Sequence, residues 1–383
     1  MYDAQQGSNS GAHIDMSTAS GTNDLHGSAW FNRGTDWLNA APFFFKNDPS
    51  IPADEKNPQL HRWTAGFTAG APIIKDKLFG FLSYQQVHVS DQESGISHLD
   101  VPPGLTDDRS DSALANVALL DWGESIDPAS INPVARFLMN YKLPNGKYMI
   151  PSAANALDAS GAVLYNASVP GTSYFFAKQG IADLDWNAAK KDTLAFKYYY
   201  QADPGRNPYA YSSVAGWTQN LDAGSQVLSI NNTWMIKPNL STTQTFGFIR
   251  EKEYGVNEQP FTPDQAGMSL FGSPVFPGLS IVDALGTGDG NPAGLGNRSL
   301  NIGSGGFQMG SYTGVFQNRF MPSANAIWSL GRHTVTFGGS FAYTQLNVRN
   351  NRSQHGSNWG QAMISVNDFP DFLEGGPLGY NAN

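Results

Sequence analysis

The chain has 383 residues, only 14% of them charged and 12% aromatic, with 41 glycines, 23 prolines, no cysteine and a formal charge of -9. The missing cysteine removes disulfide frameworks, thiolate zinc sites and cysteine nucleophiles, and the acidic balance, pI near 5.2, argues against a nucleic-acid surface. No stretch approaches the roughly 18 to 20 consecutive apolar residues of a membrane helix, whereas a membrane strand of about 10 residues needs only alternate apolar positions and leaves mean hydropathy low, here -0.34.

The first residues, MYDAQQGSNSGAHIDMSTASGTN, hold no basic n-region and no apolar h-region of a signal peptide. Residues 25 to 33 then predict a first strand, and HRWTAGFTAGA and KLFGFLSYQQV a hairpin joined by PIIKD. IADLDWN at 181 to 187 sets Ala182, Leu184 and Trp186 against Ile181, Asp183 and Asp185 with a period of two. After NAAKKD, TLAFKYYY sets Leu194, Phe196, Tyr198 and Tyr200 against Thr193, Ala195, Lys197 and Tyr199. A third hairpin joins QVLSINNTWMI to LSTTQTFGFIR through Lys237, Pro238 and Asn239. A fourth joins residues 323 to 330 to HTVTFGGSFAY at 333 to 343, with Val335, Phe337, Phe341 and Tyr343 on one side.

Tight turns alternate along these nine strands with long connections at about 34 to 60, 92 to 174, 203 to 225, 255 to 312 and 348 onward. That rhythm is the one bacterial barrels use, with short periplasmic turns and long extracellular loops. The connections are rich in Gly, Pro, Asn and Asp, which suit irregular backbone. The segment 92 to 174 is too long to lack structure. Within it, Leu114, Val117 and Leu120, then Val134, Phe137, Leu138 and Tyr141, have helical spacing, so a folded cap with short helices is expected. Alternation also builds soluble sandwiches, propellers and adhesins. Trp30, Trp63, Trp186, Trp234 and Trp328 lie at or near strand ends, where the interfacial girdles of a membrane barrel would place them.

Several phrases carry a family resemblance. GAHIDMSTASGTNDLHGSAWFNR at 11 to 33, with Ile14 to Met16, Ser20 to Asn23 and His26 to Ser28, resembles the junction between plug and first barrel strand of a TonB-dependent receptor. GAPIIKDK at 70 to 77, with the strands around it, is similar to the next hairpin of the Oar-like subgroup. VPPGLTDDRS and INPVARFLMNYKLPNGKYMIPS resemble that subgroup's long extracellular loop, and GRHTVTFGGSFAY one of its later strands. The resemblance implies an all-β fold, an antiparallel transmembrane β-barrel of which this chain would supply about nine of about 22 strands. Residues 1 to 23 would be the end of the plug and its junction, and 24 to 383 the partial barrel.

It further implies energy-coupled uptake of an unidentified extracellular substrate across the outer membrane of a Gram-negative cell. Lipid and the TonB complex would be the partners, the latter through plug and amino-terminal regions that the chain lacks. With no energy-coupling box and no terminal aromatic after GYNAN, the chain reads as an internal fragment. The competing reading is a secreted or surface-attached β-rich adhesin without transport.

No catalytic, cofactor-binding or metal residue is predicted, and no substrate contact can be assigned. Asp183 and Asp185 invite a carbohydrate-active enzyme, whose turnover Asp183→Asn would abolish, but a polar lumen accounts for both. GTGDGN at 286 to 291 lacks the later acidic ligand of a calcium loop and reads as a turn. The seven histidines include no i, i+4 helical pair, His26 reads as a strand-start residue, and GxSxG and P-loop patterns are absent. The expectation is a transport protein and not an enzyme.

Overall fold

The computed structural model describes residues 18–47, 51, 53, 56–92, 95–154, 165–210, 212–268, 276–286, 298–303, 313–349, 363–376 and 379–381. The expected plug strand at Ile14 to Met16 and residues 287 to 291 of GTGDGN lie outside them.

In chain order, β1 (His26–Thr35) is followed by the short helix α1 (Phe43–Asn47) and the hairpin β2 (Leu60–Ile74) and β3 (Leu78–Asp91). The first excursion holds β4 (Ile96–Leu99), α2 (Asp111–Trp122), α3 (Pro133–Asn140) and β5 (Ala167–Pro170). The hairpins β6 (Ser173–Ala189) with β7 (Asp192–Asn207) and β8 (Gln219–Lys237) with β9 (Leu240–Asn257) come next. After β10 (Gly278–Asp283) and β11 (Leu300–Ile302), β12 (Thr313–Leu330) pairs with both β13 (His333–Ser340) and β14 (Tyr343–Arg349). The described chain ends with β15 (Met363–Asp368), α4 (Phe369–Glu374) and β16 (Gly379–Asn381).

The large sheet is antiparallel throughout, in the order β1-β2-β3-β6-β7-β8-β9-β12-β13. Ser340 opposes Ser323 and Tyr343 opposes Phe320 in one unbroken register, so β13 and β14 are a single strand interrupted at 341 and 342, and the sheet is nine strands wide. The interruption has a local cause. Phe341 donates its N–H to the Pro322 carbonyl at 2.9 Å, but Pro322 has no N–H to return. Pro204 likewise falls where the β6–β7 ladder is broken, and Pro72 where the β2–β3 register shifts.

Proline and glycine at 203 to 205 also explain a correction. The expected loop from 203 to 225 shrinks to 208–218, because β7 runs on through Pro204 to Asn207, with β8 paired alongside. Between the paired strands, all tight turns are at one end of the sheet and all long connections at the other.

The buried apolar core is not in this single-layer sheet. It lies in the long connections, where α2, α3, α4 and the small sheet β11-β10-β15-β16 enclose Trp217, Phe276, Leu138, Met139, Ile150 and Phe369. Pairing of β10 with β15 is parallel, joining the segment after β9 to the segment after β14. The excursion after β3 thus forms only part of the cap. In α2, Leu114 and Val117 are buried with Ala115 and Ala118, but Leu120 points to solvent at 68% exposure. Steps of three drift around a helix by about 60° each, so a run of two such steps leaves the buried stripe. Ser110 caps the start of α2, and Gly123 at φ 75° ends it in the left-handed conformation.

Candidate functional site: a polar inner face and a folded cap

Cross-strand pairing transmits the facing of one strand to the whole sheet, because residues directly opposite share a face. Leu184 pairs with Gly80 and Phe196, Phe196 with Ile230, Ile230 with Phe246, and Phe246 with Pro322. The row two residues away runs Leu82, Ala182, Tyr198, Leu228, Phe248, Phe320 and Tyr343. One face is therefore a continuous apolar belt.

The intervening rows are polar. Trp30, Gly66, Gln85, Gln179, Gln201, Ser225, Glu251 and Gln317 oppose one another across eight strands. Gln85 donates to Gln179 at 3.0 Å, while Gln201 accepts from Tyr199 and donates to Asp203. Trp30 thus belongs to the inner face and not to a girdle. Its ring fills the space over Gly66, where a Cβ would lie 2.4 Å from it.

Trp186, Trp234 and Trp328 stand on the apolar face near tight turns, 46%, 48% and 40% exposed. Trp186 shares a row with Leu194 and Asn232; Trp234 is one row lower, level with Thr242 and Ala326; Trp328 is one row lower again. Each step is two residues for two strands. With about 3.3 Å per residue and about 4.8 Å between strands, a level plane through the three rings makes the strands tilt by about 35°, within the range of membrane barrels. At the opposite end, Trp63 stacks on His88 at 5.7 Å, and Phe176 and Tyr174 meet that pair edge-on. These rings form the second border of the belt.

The segment Thr18 to Asn23 lies against the polar face. Thr18 donates to Asp183 at 2.6 Å and accepts from Lys197 at 2.7 Å, and Lys197 is 3.1 Å from the same carboxylate. Ser20 donates to Asp185. Asn23 holds the β2–β3 turn through Asp76, its amide donating at 2.7 Å and its carbonyl accepting from the Asp76 N–H at 2.9 Å. Asp76 adopts φ 64° there, a left-handed conformation that a non-glycine residue rarely holds without such support. His26 sits at the strand start, its ring over Gly70. Asp183 and Asp185 share a face as their spacing predicted, each engaged by the incoming segment.

The cap joins its loops with buried polar contacts. Asn166 grips Val101 through both backbone groups, at 2.9 and 2.6 Å. Asp100 and Arg298, both buried, approach to 3.7 Å and link the excursion after β3 to that after β9. Burial pushes the Asp100 carboxyl up to about 6, against the opposing pull of Arg298. Arg109 donates to the Ile150 carbonyl and Ser152, both at 3.2 Å, and lies over the Tyr148 ring; burial lowers it to about 10. Beside it a cavity of about 700 Å³ is lined by Gln92, Asp107, Lys142, Lys147, Tyr148 and Ser152. Sequence reasoning assigned no role to these residues, because loops distant in the chain supply them and periodicity signals only local neighbours. Among the described residues no cluster of three or more His, Cys, Asp or Glu side chains could hold a metal.

The profile of the family described as outer membrane beta barrel domain matches residues 17–383. No curated protein matches the chain. Among solved structures, the outer membrane transporter YddB from Escherichia coli is similar at 8% identity and TM-score 0.45, over 90% of this chain and 33% of its own. The open form of the ferric-catecholate import receptor Fiu from E. coli K12 follows at 11% identity and TM-score 0.33, covering 89% and 48%. The P. putida toluene transporter TodX gives 8% and 0.17, covering 85% and 78%. The chain thus spans 33% and 48% of the lengths of the first two.

Proposed function

Since the chain belongs to the outer membrane beta barrel domain family, and so resides in the outer membrane, we propose that it forms wall and cap of an energy-coupled importer of the TonB-dependent kind. The observation that supports this reading is the course of Thr18 to Asn23. A segment entering on the lumen side, hydrogen-bonded to Asp183, Asp185 and Asp76, is what a plug leading into the first strand requires. In this reading the partners are membrane lipid, the TonB complex acting through a plug, and an extracellular substrate first met by the cap. No catalytic step and no cofactor is assigned to the chain.

The test compares cells with and without the intact protein for uptake of mixed labelled siderophores, oligosaccharides and peptides, repeated with a protonophore. Uptake of one class lost in both conditions supports the proposal. Uptake that needs the protein but ignores the protonophore refutes energy coupling, and an unchanged uptake profile refutes import.

A further inference from the structure

At the upper border of the apolar belt, the outward side of β1 to β3 holds a cavity of about 520 Å³ lined by Phe31, Arg33, His61, Arg62, Trp63 and His88. Arg33 opposes Trp63, Trp63 opposes His88, and His88 opposes Phe176, so this row shares the face of Leu184. The floor is Phe31 with the stacked Trp63–His88 pair. Arg33 and His61 occupy its upper side.

Positive groups outnumber negative ones around the cavity. Arg33 is exposed and forms no ion pair among the described residues, and the Lys178 ammonium lies over the Phe176 ring at 5.0 Å. Asp36, held as an anion by the Leu60 N–H, faces His61 and offsets part of this charge. Farther around the same face Lys252 is matched by Asp222 at 2.8 Å and Arg206 by Glu258 at 3.7 Å. Arg250, on the same face, lies over the Phe316 ring at 3.9 Å, so what sets the cavity apart is an exposed arginine directly above an apolar floor.

An apolar hollow beneath a basic rim, at the level where aromatic rings mark the end of the hydrocarbon, matches a lipid with an anionic headgroup. We propose that this cavity binds a phosphate-bearing anionic lipid of the extracellular leaflet. Its acyl chain lies on Phe31 and Trp63, and its phosphate is held by Arg33 and His61 with Lys178 beside them. Arginine suits the task because its planar fork meets phosphate oxygens in pairs.

The intact protein in mild detergent is titrated, under native mass spectrometry, with diphosphorylated lipid A, with phosphatidylcholine and with inorganic phosphate. One saturable lipid A adduct is expected, weakened at least about tenfold by Arg33→Gln with His61→Gln, the scale on which 1.4 kcal/mol is lost. Arg33→Lys keeps the charge but loses the paired hydrogen bonds, so its binding falls between wild type and the double variant, and Lys252→Gln changes nothing. The proposal is overturned by equal phosphatidylcholine binding, by unchanged lipid A binding in the double variant, or by displacement of the lipid by inorganic phosphate. Should the double variant not fold, Arg33→Gln alone takes its place, and unchanged selectivity for lipid A over phosphatidylcholine in that variant would overturn the proposal instead.

Discussion

The Asp183 carboxylate on β6 lies 3.1 Å from the Lys197 ammonium on β7, with Asp183 1% exposed and Lys197 31% exposed, and Thr18 bonded to both. Removing only one partner leaves a buried charge without its counterion, which costs about 3 to 5 kcal/mol in the interiors where it has been measured. Lys197→Met is therefore expected to lower the unfolding temperature of the folded barrel, followed by its heat-dependent shift on gels. Asp183→Asn combined with Lys197→Gln should regain most of the loss. Equal destabilisation by the single and double variants would remove the ion pair from the account.

Leu184, next in the chain to Asp183, is 39% exposed, and Phe337 on the paired edge is 56% exposed. Arginine costs about 2 to 4 kcal/mol at the bilayer midplane and about 0 to 1 at the interfaces, and these positions stand one row from Trp186 and Trp328, so a loss of about 1 to 3 kcal/mol is expected at each. Arginine at Gln179, on the polar face, should be tolerated to within about 1 kcal/mol. Urea midpoints of the three variants in lipid vesicles give the comparison, and similar losses at Leu184 and Gln179 would show the facing to be wrong.

A third expectation concerns close packing. A Cβ at Gly66 would stand 2.4 Å from the Trp30 ring. Gly66→Ala should then destabilise by about 1 to 3 kcal/mol through overpacking, and Trp30→Ala in the same chain should relieve it. Additive losses in the double variant would contradict the contact.

In the cap, Asp100 is raised to about 6 from 3.8 by burial. Below 3.8 the carboxyl is protonated both folded and unfolded, and the cap has its full stability. Between 3.8 and about 6 the unfolded form loses its proton first, so stability falls as pH rises, and it levels off above 6. The whole change is about 3 kcal/mol. Protection factors of α2 and α3, with the intrinsic rise of exchange with pH divided out, should fall from pH 4 to pH 6, and Asp100→Asn should flatten the profile. A cap that grows more protected over that interval would refute the assignment.

What was legible in the sequence was the wall. Alternation with a period of two, as in Ala182, Leu184 and Trp186, names strand and face together, and tight turns at Lys190 and Gly331 fix the hairpins. Strand ends were less legible, because Pro204 and Gly205 look like loop residues and only the neighbouring strand shows that the ladder runs past them. The cap was legible only in its two helices. The pairing of Ile281 with Val366 in a parallel ladder, and of Asp100 with Arg298, joins segments far apart in the chain. No local pattern records such contacts. Trp30 was misplaced because nearness to a strand end does not specify the face, which only its opposition to Gly66 and Gln85 reveals.

The claim on which the rest depends is that lipid covers the Leu184 side of the sheet and water the Asp183 side. The chain has no cysteine, so single cysteines at Leu184 and at its neighbour Asp185 can each carry a spin label in the membrane-inserted protein. The account predicts that the Leu184 label is relaxed by oxygen dissolved in the bilayer and shielded from a water-soluble nickel complex, with the order reversed at Asp185. Equal access of the nickel complex to both positions would contradict it.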